Sequence, residues 1–100
     1  AFNKRAAGTE TLISHTAESL LLGHAIQSNV KAVLNLPDRG LKERPGLFVL
    51  RNTIMPAVVV EVCFIDNAYD VRQYQNRADA VARAIATGIL QWPAMARQAA

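Results

Sequence analysis

The spacing of apolar residues divides the first part of the chain into a strand and a helix. Residues 8–14 alternate weakly and are rich in Thr, which predicts a short strand. The apolar residues that follow step by three or four positions along one helical face: Leu22, Ile26, Val30 and Val33. Ser14 or Thr16 can cap this helix, with Glu18 in its first turn. It should end before Pro37, because the residue before a proline is pushed out of helical geometry.

The middle of the chain predicts a loop and two strands. Residues 37–40 have turn composition, and the loop should continue to Gly46. Residues 47–50 predict a strand, and residues 57–65 predict a second one after Pro56. Both faces of the second strand are apolar, as expected for a central strand covered on two sides.

The last third predicts two consecutive helices. Asn67 can cap the first, with Asp70 three residues later, and Asn76 with Asp79 repeats that pattern, so a hinge is expected near Asn76. The longer helix presents one apolar face and should stop at Pro93. The residues of that face are Ala78, Ala82, Ile85, Ile89 and Trp92. The order strand, helix, strand, strand, helix indicates an α/β layered fold whose small sheet has open edges.

Composition narrows the functional classes. The chain has 100 residues, 51% of them hydrophobic, which excludes a disordered protein. Its longest uncharged apolar run, residues 54–60, is too short to span a bilayer, and no apolar core follows the basic start, so no signal peptide is expected in this chain. The net charge of +3 comes from scattered basic residues, which argues against a nucleic-acid-binding stripe. The single Cys63 excludes an internal disulfide.

Glu61 is the candidate for chemistry. It lies in the apolar run of residues 57–65, where alternation places it on one face with Val59 and Cys63. Burial there would favour protonation and suit a general acid or base. Two structural alternatives remain open: an ion pair with Arg51 on the neighbouring strand, or a carboxylate facing water at a sheet edge.

The sequence contains no complete metal site. His15 and His24 are nine residues apart, which places them on opposite faces of one helix, so they are interpreted as a helix-start and a helix-surface residue. The chain has no His-Glu-x-x-His pair, no cysteine pair, no nucleophile elbow and no phosphate loop.

Four segments carry a resemblance to a known family. They are GTET at 8–11, DRGLK at 38–42, LFVLR at 47–51 and MPAVVVEVCFIDN at 55–67. In this order they resemble the C-terminal part of the zinc-dependent N-acetylmuramoyl-L-alanine amidases, which include bacterial autolysins acting in cell separation and phage endolysins. The block at 55–67 is the specific part, although Cys63 and Asp66 stand where that family commonly has Gly and Ser.

The resemblance implies a fold and an activity. It implies a mixed sheet covered by helices, of which residues 1–100 are the C-terminal part of a single catalytic domain, called the parent domain below. It further implies a peptidoglycan hydrolase that cuts the amide between N-acetylmuramic acid and L-alanine, with Glu61 as general base. The Zn²⁺ ligands would lie upstream of Ala1, which itself matches the alanine after the last zinc-binding histidine.

The resemblance also sets expectations for partners and alternatives. We expect action at the cell wall or in the periplasm, with peptidoglycan as partner, no nucleic acid or membrane, and a complementary chain or self-association through open sheet edges. Release as in phage endolysins would bring the protein to this location without a signal peptide in the chain. The alternative is a non-catalytic wall-binding or regulatory module that keeps the fold; a small basic nucleic-acid module is a third interpretation.

Overall fold

A computed structural model describes residues 6–99 as three strands and three helices. In chain order they are β1 (Thr9–Ile13), α1 (Ala17–Val33), β2 (Asp38–Glu43), α2 (Phe48–Arg51), β3 (Val58–Glu61) and α3 (Ala68–Ala99). The sheet has the order β2-β1-β3, with β1 parallel to β2 and antiparallel to β3. The expected α/β fold with a mixed sheet is therefore confirmed.

The helix α1 forms where its periodicity and cap predict it. The Thr16 side chain accepts a hydrogen bond from the Ser19 amide at 3.2 Å, Glu18 lies in the first turn, and the helix ends at Val33. Its Ser19 hydroxyl accepts from Ser14 N–H and donates to the Ala57 carbonyl, which joins the end of β1 to the start of β3.

The core lies between α1, α3 and one face of the sheet. Its buried residues are Ile26, Val30, Leu34, Val81 and Ala84. Val58 and Val60 of β3 pack against this cluster from the sheet. No helix among residues 6–99 has both the length and the apolar character needed to cross a bilayer.

Three predicted elements in the middle of the chain are wrong. The expected loop at 37–46 contains the edge strand β2. Its polar sequence does not predict a strand, but the segment forms one because it pairs with β1. The expected strand at 47–50 is instead the helical turn α2, in which only Leu50 is buried. The central strand is β1, which is buried throughout, whereas β3 has one strand neighbour among residues 6–99 and ends at Glu61.

The helix α3 also departs from expectation. Non-helical geometry at Arg77 matches the hinge expected near Asn76, but Pro93 does not end the helix. Pro93 is exposed, and Trp92 holds that turn against α1 by donating to the Glu18 carbonyl at 3.3 Å.

The predicted apolar face of α3 is wrong in part: Val81, Ala84 and Gly88 are the buried residues, Ala82 and Ile89 are exposed, and Ile85 packs half-buried against the core. A Cβ at Gly88 would meet the backbone of α1, so the close approach of the two helices requires a small residue there.

Candidate active site

Glu61 lies at the exposed end of β3. Its carbonyl oxygen accepts a hydrogen bond from the Thr9 hydroxyl at 3.2 Å, which fixes the backbone to β1. The expected burial between Val59 and Cys63 is wrong, because Glu61 is the last residue of β3 and its side chain is exposed there, whereas the other residues of the strand are half-buried. Val60 faces the helices, so Glu61 points to the other face of the sheet, where water can reach it.

A second carboxylate lies directly across the strands from Glu61. Glu10 is paired with Glu61 in the antiparallel register of β1 and β3, so both side chains share one face. Unlike Glu61, Glu10 is buried, at 8% exposure. Like charges opposite each other repel, so this arrangement requires neutralisation nearby.

Two cations of β2 provide that neutralisation. Arg39 Nε lies 3.6 Å from one oxygen of Glu10, and Lys42 Nζ lies 3.9 Å from the other. The Arg39 guanidinium also covers the Phe64 ring at 5.0 Å from its centroid, just beyond Glu61 in the chain. The charged face therefore consists of Glu10, Arg39, Lys42 and Glu61. This face presents one accessible carboxylate, Glu61, beside a second carboxylate, Glu10, whose charge is neutralised.

Polar groups beneath this face fix the strands. Gln27 of α1 donates to the Thr9 carbonyl at 2.9 Å and to Asp38 at 2.8 Å, and it accepts from the Thr11 hydroxyl at 2.9 Å. The hydrogen bond from Gln27 lowers the pKa of Asp38 below 3.8; the Gly40 amide and Lys31 act in the same direction, and burial opposes them.

Cys63, two residues beyond Glu61, is a half-buried thiol. Burial raises the pKa of Cys63 above 9.0, and the charge of Asp70 adds to that shift. A raised pKa keeps the sulfur protonated near neutral pH, which argues against a nucleophilic role.

The structure leaves the other sequence candidates outside this site. His15 and His24 are both exposed, one before α1 and the other on its surface, as predicted. Arg51 lies on α2 rather than on a neighbouring strand, and no ion pair joins it to Glu61 within residues 6–99. A cleft of about 250 Å³ that includes His15 and Arg51 opens beside Ala57, at the opposite end of β3 from Glu61.

The described residues do not fit a zinc ion by themselves. Catalytic zinc takes about three protein ligands. Among residues 6–99, no three His, Cys, Asp or Glu side chains converge on one point. The expectation tied to Ala1 lies outside the described residues.

The other members of the charged face are not predicted from the sequence. Glu10 lies in the matching segment at 8–11 without a predicted role, and Arg39 and Lys42 lie in the predicted loop. The available signal was a charged residue between two threonines in a strand that is otherwise uncharged. Such a residue indicates either an open face or a salt bridge.

Comparison with known proteins places these features in a family. The family profile described as N-acetylmuramoyl-L-alanine amidase matches residues 1–91. An uncharacterized protein of Clostridium perfringens is 38% identical over 86 residues, covering 84% of this chain and 26% of that protein. The N-acetylmuramoyl-L-alanine amidase LytC of Bacillus subtilis is 34% identical over 90 residues, covering 85% of this chain and 18% of LytC.

A solved structure shows the same fold. The catalytic domain of CwlV, an N-acetylmuramoyl-L-alanine amidase from Bacillus (Paenibacillus) polymyxa, superposes with a TM-score of 0.81 at 28% identity. That match covers 92% of this chain and 51% of the CwlV domain. This chain thus spans about half of that domain, 26% of the Clostridium perfringens protein and 18% of LytC. On the profile match, the chain belongs to the N-acetylmuramoyl-L-alanine amidase family.

Proposed function

We propose that the parent domain of this chain hydrolyses the amide between N-acetylmuramic acid and L-alanine in peptidoglycan, with Glu61 as general base. Family membership supports the reaction class. The observation that carries the residue assignment is the position of Glu61, an exposed carboxylate at a strand end whose backbone is bonded to Thr9. A general base needs both access to water and a fixed position.

The chemistry assigned to Glu61 is a proton transfer in two stages. Its carboxylate removes a proton from the water that attacks the amide carbonyl, and it then gives that proton to the departing amine of L-alanine. The C–O bond forms in the first stage; in the second stage the C–N bond breaks, and its electron pair stays on the nitrogen that receives the proton. Arg39 and Lys42 engage Glu10 rather than Glu61, so they do not compete for the carboxylate that must accept the proton.

Zinc and the extent of the domain are part of this proposal. The Zn²⁺ that the family resemblance implies, and that would polarise the amide carbonyl, finds no ligand set within residues 6–99. We propose that its ligands lie in residues of the parent domain outside this chain, and that residues 1–100 form the C-terminal part of that domain. The site of action would be extracytoplasmic, at the cell wall.

The sheet edges are the natural place for the rest of that domain. The outer edges of β2 and β3 have no strand partner among residues 6–99. Unpaired edges bind further strands. We expect them to pair with a complementary segment of the parent domain, or with a second copy when the chain is isolated.

The test is Glu61→Gln in the parent domain, because glutamine preserves shape but cannot take up the proton. Loss of general-base catalysis lowers kcat by roughly 10² to 10⁴-fold. Glu43→Gln is the matched control, because Glu43 is exposed at the other end of the sheet. Peptides with new L-alanine amino termini are quantified after digestion of peptidoglycan. Near-normal kcat for Glu61→Gln would remove Glu61 from the mechanism, and new reducing sugar ends instead of L-alanine termini would contradict the reaction class.

A further inference from the structure

A completely buried carboxylate, Asp70, lies below the segment that follows Glu61. Asp70 is the third residue of α3 and is 0% exposed. One of its oxygens, Oδ2, accepts two backbone hydrogen bonds, from Gly8 N–H at 2.9 Å and from Phe64 N–H at 3.0 Å. Asp70 therefore joins the start of β1 to the loop after β3.

Asp70 is held by amide groups rather than by a cation. Within residues 6–99 no Lys, Arg or His forms an ion pair with it, and its Oδ1 accepts no hydrogen bond. Burial of an unpaired carboxylate is costly, but two amide donors and the first turn of a helix offset that cost. The Asn67 side chain caps this turn by accepting from Asp70 N–H at 3.1 Å. A buried carboxylate whose hydrogen bonds join two distant segments is suited to a positional role.

The two amides that Asp70 binds belong to the two chain segments next to Glu61. Phe64 is three residues beyond Glu61 in the chain. Gly8 precedes Thr9, whose hydroxyl binds the Glu61 carbonyl. Gly8 has φ +114°, and a Cβ there would clash with the Pro37 carbonyl oxygen, so this position requires glycine.

We propose that Asp70 is a positioning residue for Glu61, acting through its two hydrogen bonds to Gly8 and Phe64; this inference rests on the proposed function. Thr9 holds the Glu61 carbonyl, and Asp70 holds the chain three residues later. Together they restrict the direction in which the Glu61 carboxylate projects. Asp70 itself is buried and touches no substrate.

The hydrogen-bond pattern distinguishes two substitutions. In Asp70→Asn the side-chain oxygen can occupy the place of Oδ2 and accept both bonds, while the new amide group fills the place of Oδ1, which accepts none. Asp70→Ala removes both bonds. Displacing a catalytic group by about 1 Å costs up to about 10²-fold in rate, so we expect Asp70→Ala to lower kcat by roughly 10 to 10²-fold at unchanged KM. Asp70→Asn should restore kcat to within roughly threefold, since its acceptor geometry is kept.

The experiment has one readout in the isolated chain and one in the parent domain. In the 100-residue chain, amide hydrogen exchange at Gly8 and Phe64 should accelerate by at least about tenfold in Asp70→Ala and by much less in Asp70→Asn. Asp79→Asn, an exposed acid on the same helix, is the control and should change neither amide. In the parent domain, kcat and KM are measured for the same variants, each corrected for its folded fraction.

Each outcome bears on a separate statement. Unchanged exchange at both amides in Asp70→Ala, or equal loss of kcat in both Asp70 variants, would overturn the positioning role. Normal kcat in folded Asp70→Ala would also overturn it. If Asp70→Ala does not fold, retained protection and kcat in Asp70→Asn support the hydrogen-bond account, and their loss refutes it. Absence of amide hydrolysis by the unmodified parent domain refutes the proposed function instead, while the exchange result still tests the geometry.

Discussion

The contact between α1 and α3 gives the sharpest stability prediction, through Gly88. A Cβ added at Gly88 would lie 2.7 Å from Ile26 Cα, 2.9 Å from Ile26 N and 3.0 Å from the Ala25 carbonyl carbon. These atoms are backbone, so no side-chain rotation can make room, and the two helices must separate at this contact. Gly88→Ala is therefore expected to be destabilising, although alanine is the better helix former.

The magnitude follows from two opposing effects. Overpacking a tight core costs about 1 to 3 kcal/mol, and a backbone clash belongs in the upper half of that range. Replacing a helical glycine by alanine stabilises the helix by about 1 kcal/mol. The net loss is about 1 to 2 kcal/mol, which lowers Tm by roughly 4 to 16 °C in a domain of this size.

Urea unfolding followed by circular dichroism measures this loss. Gly46→Ala is the matched control, because Gly46 lies outside the helices and a Cβ there would meet nothing within 4 Å. Its free energy of unfolding should stay within about 0.5 kcal/mol of the unmodified chain. A Gly88→Ala chain that is as stable as the unmodified one would show that α1 and α3 do not approach this closely.

Three further predictions concern titration and metal binding. Because the folded state raises the pKa of Cys63 above 9.0, the thiol ionises more readily in the unfolded chain, and the free energy of unfolding should fall above about pH 9. Urea titrations at rising pH measure this fall, which should be smaller in Cys63→Ala. Because the folded state lowers the pKa of Asp38 below 3.8, the ionised carboxylate adds to the free energy of unfolding above that pH, and this contribution is lost on further acidification. The free energy of unfolding of Asp38→Asn should therefore fall less during acid titration than that of the unmodified chain. The difference should be under about 1 kcal/mol, because the side chain is 39% exposed. The chain alone should neither bind zinc tightly by calorimetry nor hydrolyse peptidoglycan, since three ligands do not converge in residues 6–99; stoichiometric zinc binding with hydrolysis would identify His15 or His24 as a ligand.

Local signals in the sequence predict where the two long helices begin. Thr16 and Asn67 cap α1 and α3 as expected, because a capping side chain bonds amides only two or three residues away. The hinge beside Asn76 follows from the same kind of local chemistry. These features need no information from distant parts of the chain.

The errors arise where distant contacts decide. Segment 38–43 is polar, yet it forms a strand because β1 offers a free edge. Segment 47–50 is apolar, yet it forms a helical turn with only Leu50 buried. The exposure of Glu61 and its pairing with Glu10 depend on sheet order, which periodicity along one strand does not contain.

The central position of β1 has a consequence for the order in which this chain can fold. β1 is the first described strand, and pairing it with β2 closes a loop of about 30 residues, most of which α1 fills. Pairing it with β3 closes a loop of about 50 residues, at a slightly higher entropic cost. During synthesis β2 becomes available to β1 before β3 does, so one edge of β1 stays unpaired until residues 58–61 have been made. An unpaired strand edge is open to wrong pairing, so we expect this stage of synthesis to be the most sensitive to it.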